Sequence, residues 1–97
     1  MIDKKHVIQI LNQNTAQIRQ MGVTSLAVFG SVARGEATAQ SDVDVLVSFQ
    51  EPVTFDRYMD VKMLLEDQLG YPVDLVIAES LHQRLKPYVQ QEAIYVA

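Results

Sequence analysis

The run at residues 43–49, VDVLVSF, is β-branched and nearly continuous in apolar character. A strand with one wet face alternates apolar and polar residues; an unbroken apolar run belongs to a strand covered on both faces. The chain must therefore lay further structure over both sides of a sheet. Yet the run carries Asp44 in its interior and Asp42 directly before it. Ionised carboxylates are costly to desolvate, so two of them on a buried strand need a chemical reason.

The segments around this run read as alternating helices and strands. Residues 3–21 carry Val7, Leu11 and Ile18 at helical spacing, flanked by Ile8, Ile10 and Met21, with Gly22 as a stop. A strand is predicted over 25–29, ended by Gly30, and SVAR gives a turn or two of helix ended by Gly35. Glu51-Pro52 breaks the central run. Thr54 then caps a helix whose apolar positions are Tyr58, Val61, Leu65 and Leu69, punctuated by Gly70 and Pro72. PVDLVI at 72–77 is a further strand. The tail from Ser80 to Ala97 reads as helical, restarted at Pro87, with IYV extended. The order α-β-α-β-α-β-α implies an α/β (α+β) fold, a small mixed sheet of about three to four strands flanked by helices.

With 97 residues, the chain reads as one small domain spanning residues 1–97. Its net charge of −4 and lack of any basic run weigh against a nucleic-acid-binding surface, which would need clustered Lys and Arg. There is no cysteine, hence no disulfide framework or thiolate metal site. No stretch approaches the apolar length of a membrane span, and the N-terminus reads as an amphipathic helix start, not a signal peptide. A soluble cytoplasmic protein is the expectation.

Asp42 and Asp44 project to one face of an extended strand, with Cα atoms roughly 6.5–7 Å apart. Asp74 lies among apolar residues of the next predicted strand. If those strands are neighbours in suitable register, three carboxylates converge. Like charges so close raise one another's pKa or require a cation, and residues 36–56 contain five acidic side chains but no Lys or Arg. Oxygen ligands without imidazole or thiolate suit magnesium or manganese. An EF-hand is excluded, because counting from Asp42 puts Val47 where its loop needs glycine and Val53 where it needs glutamate. Each aspartate alone has a plainer reading: an Asx turn for Asp42, an edge-strand side chain facing water for Asp74.

Gly30-Ser31 at a strand-to-helix junction lets the backbone approach a ligand and offers free N–H groups to an anion. Ser31 equally reads as an N-cap. Neither G-x-G-x-x-G nor a P-loop is present. Carboxylates for metal beside a phosphate-binding turn suggest metal-bound polyphosphate chemistry.

With these residues in view, GSVARGEATAQSDVDVLV resembles the signature of the DNA polymerase β-like nucleotidyltransferases, Gly-Ser, a spacer, then D-x-D, and is most similar to the minimal nucleotidyltransferases. Gly30, Ser31, Arg34, Gly35, Ser41, Asp42 and Asp44 fall in place, and Asp74 matches the third acidic position on a weaker local pattern. The resemblance implies transfer of AMP from ATP to a hydroxyl. In it Asp42, Asp44 and Asp74 hold Mg2+ or Mn2+, Asp74 helps deprotonate the acceptor, and Gly30, Ser31, Arg34 and Ser41 bind the nucleotide. It further implies a HEPN-domain toxin as partner, adenylylated on a tyrosine so that its RNase activity is neutralised, with this chain as antitoxin.

Larger relatives add a helical domain that helps bind the acceptor; here the acceptor is expected from a partner protein. Two alternatives stay open, a module that masks its partner by contact alone and a nucleotidyltransferase acting on a small molecule. Arg34 reads equally as a surface residue closing a short helix, and Glu36, His6 and His82 read as solvated.

Overall fold

In the computed structural model, which describes residues 2–96, Asp3 starts the first helix. Its Oδ1 accepts the Lys5 N–H at 3.1 Å, ahead of α1 (Lys4–Gln13). The single helix expected over 3–21 is in fact two, α1 and α2 (Thr15–Gln20). The break has a local cause. Asn14 Nδ2 donates to the Ile10 carbonyl at 2.8 Å, and Thr15 Oγ1 donates to the carbonyls of Leu11 and Asn12. Short polar side chains that take backbone carbonyls in this way compete with the helix ladder.

Beyond Gly22 comes β1 (Val23–Phe29), two residues longer than the sequence suggests, then α3 (Gly30–Arg34) and β2 (Val43–Phe49). The next helix, α4 (Phe55–Leu69), begins and ends as its residues require. Thr54 Oγ1 accepts the Arg57 N–H, and Gly70 closes the helix in the left-handed region at φ 77°. Strand β3 (Val73–Ile77) follows, then a 3-10 turn at Ala78–Ser80. In the tail the restart at Pro87 and the extended IYV hold, and only the helix expected from Ser80 is missing before Lys86. Helix α5 is confined to Lys86–Glu92, with Pro87 in its first turn, and Ile94–Tyr95 form a fourth strand, β4. Ala97, the end of the helical tail as read from sequence, lies outside the described residues.

The sheet runs β3-β2-β1-β4, with β1 antiparallel to β2 and β4, and β2 parallel to β3. One face packs on α1, α2 and α4. Val43, Val45 and Val47 of β2 meet Val7 and Leu11 of α1, Ile18 of α2, and Val61 and Leu65 of α4 in a core where none is more than 1% exposed. The opposite face holds a smaller buried spot, Ala27 of β1 beside its register partner Leu46 of β2. Dry contacts on both faces explain the unbroken apolar run of β2. Asp44 sits at the rim of that second face, one strand pleat from Leu46. Among the described residues no helix is long and apolar enough to cross a membrane.

Candidate active site

Strand register brings two of the carboxylates level. Asp44 of β2 pairs with Asp74 of β3, and residues level on neighbouring strands leave the sheet on the same face. Asp42 stands just before β2, and the fully buried Val43 separates it from Asp44. Asp44 is half-buried; Asp42 and Asp74 are exposed. The electrostatics bind the three together. Burial pushes the Asp44 carboxyl above the ordinary aspartate range, and the charges of Asp74 and then Asp42 push it further, with Arg34 opposing and Glu92 adding a little. Residues 36–56 lack a cation in sequence, so Arg34 supplies it in space.

On the other side of Asp44 its register partner is Phe29, after which the chain turns at Gly30 into α3. Gly30 has φ +72°, where L side chains are strained. A Cβ there would also fall on Oδ2 of Asp44, only 2.9 Å from its Cγ and 3.1 Å from its Cβ. Glycine is thus required twice, for the turn and for the approach of main chain to carboxylate. Ser31 lies in the first turn of α3. The N-cap position belongs to Phe29, which makes no side-chain cap bond, so Ser31 is not the N-cap. Gly35 ends the helix in the left-handed region at φ 73°.

Arg34 closes α3 and is held from two sides. Its Nη1 donates to Glu92 Oε2 at 2.9 Å and its Nε to Glu36 Oε2 at 3.2 Å. The Glu92 bond first, then the Glu36 bond, raises the guanidinium above its already high pKa. Glu36, read as solvated, is thus a salt-bridge partner, though an exposed one. Ser41 builds the turn before β2, its Oγ accepting the Thr38 N–H at 2.9 Å and its own N–H donating to the Thr38 carbonyl. His6 and His82 are exposed, as expected.

Glu92 is the residue sequence reasoning missed. It sits 58 residues from Arg34 and 62 from Gly30, whose N–H it accepts at Oε1. No local pattern could have announced it, because only the packing of α5 on α3 makes the contact.

Among the described residues, no three His, Cys, Asp or Glu side chains are gathered into a ready-made metal cage. The donor set nevertheless fits a hard divalent cation. It offers carboxylate oxygens without imidazole or thiolate, and like charges already oppose one another at Asp44. Asp42, Asp44 and Asp74 are the residues that would hold it.

The chain is similar to known proteins. The model of the nucleotidyltransferase domain family matches residues 7–96. The protein adenylyltransferase MntA of Thermococcus cleftensis is 37% identical over 97 residues, covering 99% of this chain and 98% of its own. A solved structure described as a candidate minimal nucleotidyltransferase superposes with a TM-score of 0.85 at 37% identity, covering 97% of this chain and 96% of that one. A complex of the tri-AMPylated Shewanella oneidensis HEPN toxin with its MNT antitoxin shares the fold, with a TM-score of 0.66 at 18% identity over 93% of this chain and 71% of the other. The chain belongs to the nucleotidyltransferase domain family, as an enzyme of the minimal type.

Proposed function

We propose that this protein transfers AMP from ATP to a tyrosine hydroxyl of a HEPN toxin in the cytoplasm and so acts as its antitoxin. The reading is supported above all by the seating of the Gly30 main chain against Asp44, with Asp74 level on the next strand. The adenylyltransferase name of the Thermococcus relative and the AMPylated toxin in the Shewanella complex point the same way.

The roles are those that the family resemblance implies for these residues. Asp42, Asp44 and Asp74 would hold magnesium or manganese, which when bound offsets the triphosphate charge and stabilises the entering and leaving oxygens. The Gly30-Ser31 turn orients the β- and γ-phosphates, and Arg34 donates to a phosphate oxygen. Ser41 keeps the 38–41 turn closed beside Asp42 and lies within the same nucleotide-binding set. Asp74, exposed at the sheet edge, accepts the proton of the attacking hydroxyl. That oxygen bonds to the α-phosphorus, the bond to the bridging oxygen breaks, and pyrophosphate leaves.

The test is label transfer from α-labelled ATP to a HEPN toxin in the presence of magnesium, with the Asp42→Asn/Asp44→Asn double variant as control. Labelling by the wild-type chain alone supports the reading. A double variant that neutralises the toxin as fully as wild type would mean that the chain works by masking, and the proposed chemistry would fall.

A further inference from the structure

We infer that Glu92 is a positioning residue of the nucleotide site, fixing the Gly30-Ser31 turn and Arg34 in the arrangement that receives the triphosphate; this rests on the function proposed above. One carboxylate spans α3 from end to end. Oε1 accepts the N–H of Gly30, the first residue of the helix, at 3.1 Å, and Oε2 accepts Nη1 of Arg34, its last, at 2.9 Å. Both of its oxygens are therefore committed to the two groups that flank Ser31. A five-residue helix has too few internal hydrogen bonds to fix its own orientation. Its C-terminal end is closed by Gly35, but Phe29 gives its first turn no side-chain cap. The bracing comes from α5 instead.

The bracing is directional. Glu36 holds Arg34 Nε from one side and Glu92 holds Nη1 from the other, so the guanidinium plane is set between two carboxylates. A planar donor fork fixed in advance loses less freedom when it meets a phosphate. Exposed ion pairs add little to global stability, and the Arg34 side chain is 46% exposed. Glu92 should therefore be felt in nucleotide affinity much more than in folding. Its position at the end of α5, one residue before β4, also ties the edge of the sheet to the site.

Steady-state kinetics and direct ATP titration of Glu92→Ala, Glu92→Gln, Arg34→Ala and the Arg34→Ala/Glu92→Ala double variant test this. Glu92→Ala is expected to raise KM and the ATP dissociation constant about tenfold, with kcat changed less than threefold and the melting temperature nearly unmoved. Glu92→Gln keeps an acceptor for the Gly30 N–H but sets an amide NH2 against Arg34 Nη1, so it should recover only part of the loss. The double variant should lose less than the product of the two single losses, because the Arg34–Glu92 contact is common to both while the Gly30 contact belongs to Glu92 alone. The inference is overturned if Glu92→Ala binds ATP as wild type does or more tightly, the latter marking Glu92 as a competitor of the phosphates. It is also overturned if the losses multiply fully in the double variant, or if Glu92→Ala lowers kcat and leaves KM and the ATP dissociation constant unchanged. Should the wild type bind ATP but label no toxin, the proposed function fails while the ATP titrations still decide the role of Glu92. A wild type that binds no ATP overturns both.

Discussion

Gly30→Ala and Gly35→Ala form a matched pair, since the two glycines have φ +72° and +73° and differ in what a Cβ would meet. At Gly35 nothing lies within 4 Å, so alanine there carries only the left-handed backbone cost, about 1–2 kcal/mol. At Gly30 the same cost applies, and the new methyl also overlaps the Asp44 carboxylate. Overpacking of this kind adds about 1–3 kcal/mol, or less if Asp44 swings aside. The difference between the variants, read as melting temperature, should be roughly 4–8 °C per kcal/mol for a domain of this size. Relief by rotation has its own consequence, because it moves the Asp44 carboxylate out of the position it holds against the Gly30 main chain. Gly30→Ala should therefore lose AMP transfer about 100-fold even where it stays folded, as disturbed ligand orientation does. Thermal melts and label-transfer rates on both variants, and on Gly30→Ala/Asp44→Ala, complete the measurement. Removing the Asp44 carboxylate should relieve most of the extra instability of Gly30→Ala, leaving only the tight contact with the Asp44 Cβ. Equal melting temperatures for the two single variants, or no relief in the double, would refute the close approach of turn and carboxylate.

Other substitutions probe the rest of the account. Asp44→Asn should raise the melting temperature of the metal-free protein at neutral pH. The folded state holds the Asp44 proton more tightly than the unfolded one, so this residue favours folding below its unfolded pKa and that contribution is lost as pH rises through the raised folded value. The gain over wild type should fade in acid, which melts across a pH series will show; a variant less stable at neutral pH contradicts it. Leu65→Ala, at a side chain 1% exposed between α4 and the sheet, should cost about 2–5 kcal/mol in a urea titration. Thr54→Ala removes the cap bonded to Arg57 N–H and should cost about 1 kcal/mol by the same assay.

What the sequence made legible was whatever is written locally. Apolar spacing gave α4 and its buried face, Thr54 and Gly70 gave its ends, and the unbroken run at 43–49 gave the central strand. The glycine-serine turn and D-x-D were visible for the same reason, as short contiguous patterns. The break at Asn14 was hidden because apolar spacing ignores side chains that bond backward to carbonyls. The two-residue β4 was only hinted at, since a strand that short is specified by its neighbour β1 and not by its own period. Glu92 was illegible outright. Its role arises from contacts across about sixty residues, where one more glutamate in a helical tail looks like any solvated charge.

Binding of manganese in the presence of a non-hydrolysable ATP analogue, followed by electron paramagnetic resonance, tests most directly whether Asp42, Asp44 and Asp74 work as one set of ligands. Wild type should take up the ion, and Asp42→Asn, Asp44→Asn and Asp74→Asn should each weaken uptake at least tenfold while keeping the fold. An Asp74→Asn variant that binds manganese as tightly as wild type would contradict the account, leaving the aspartate of β3 as an edge residue facing water.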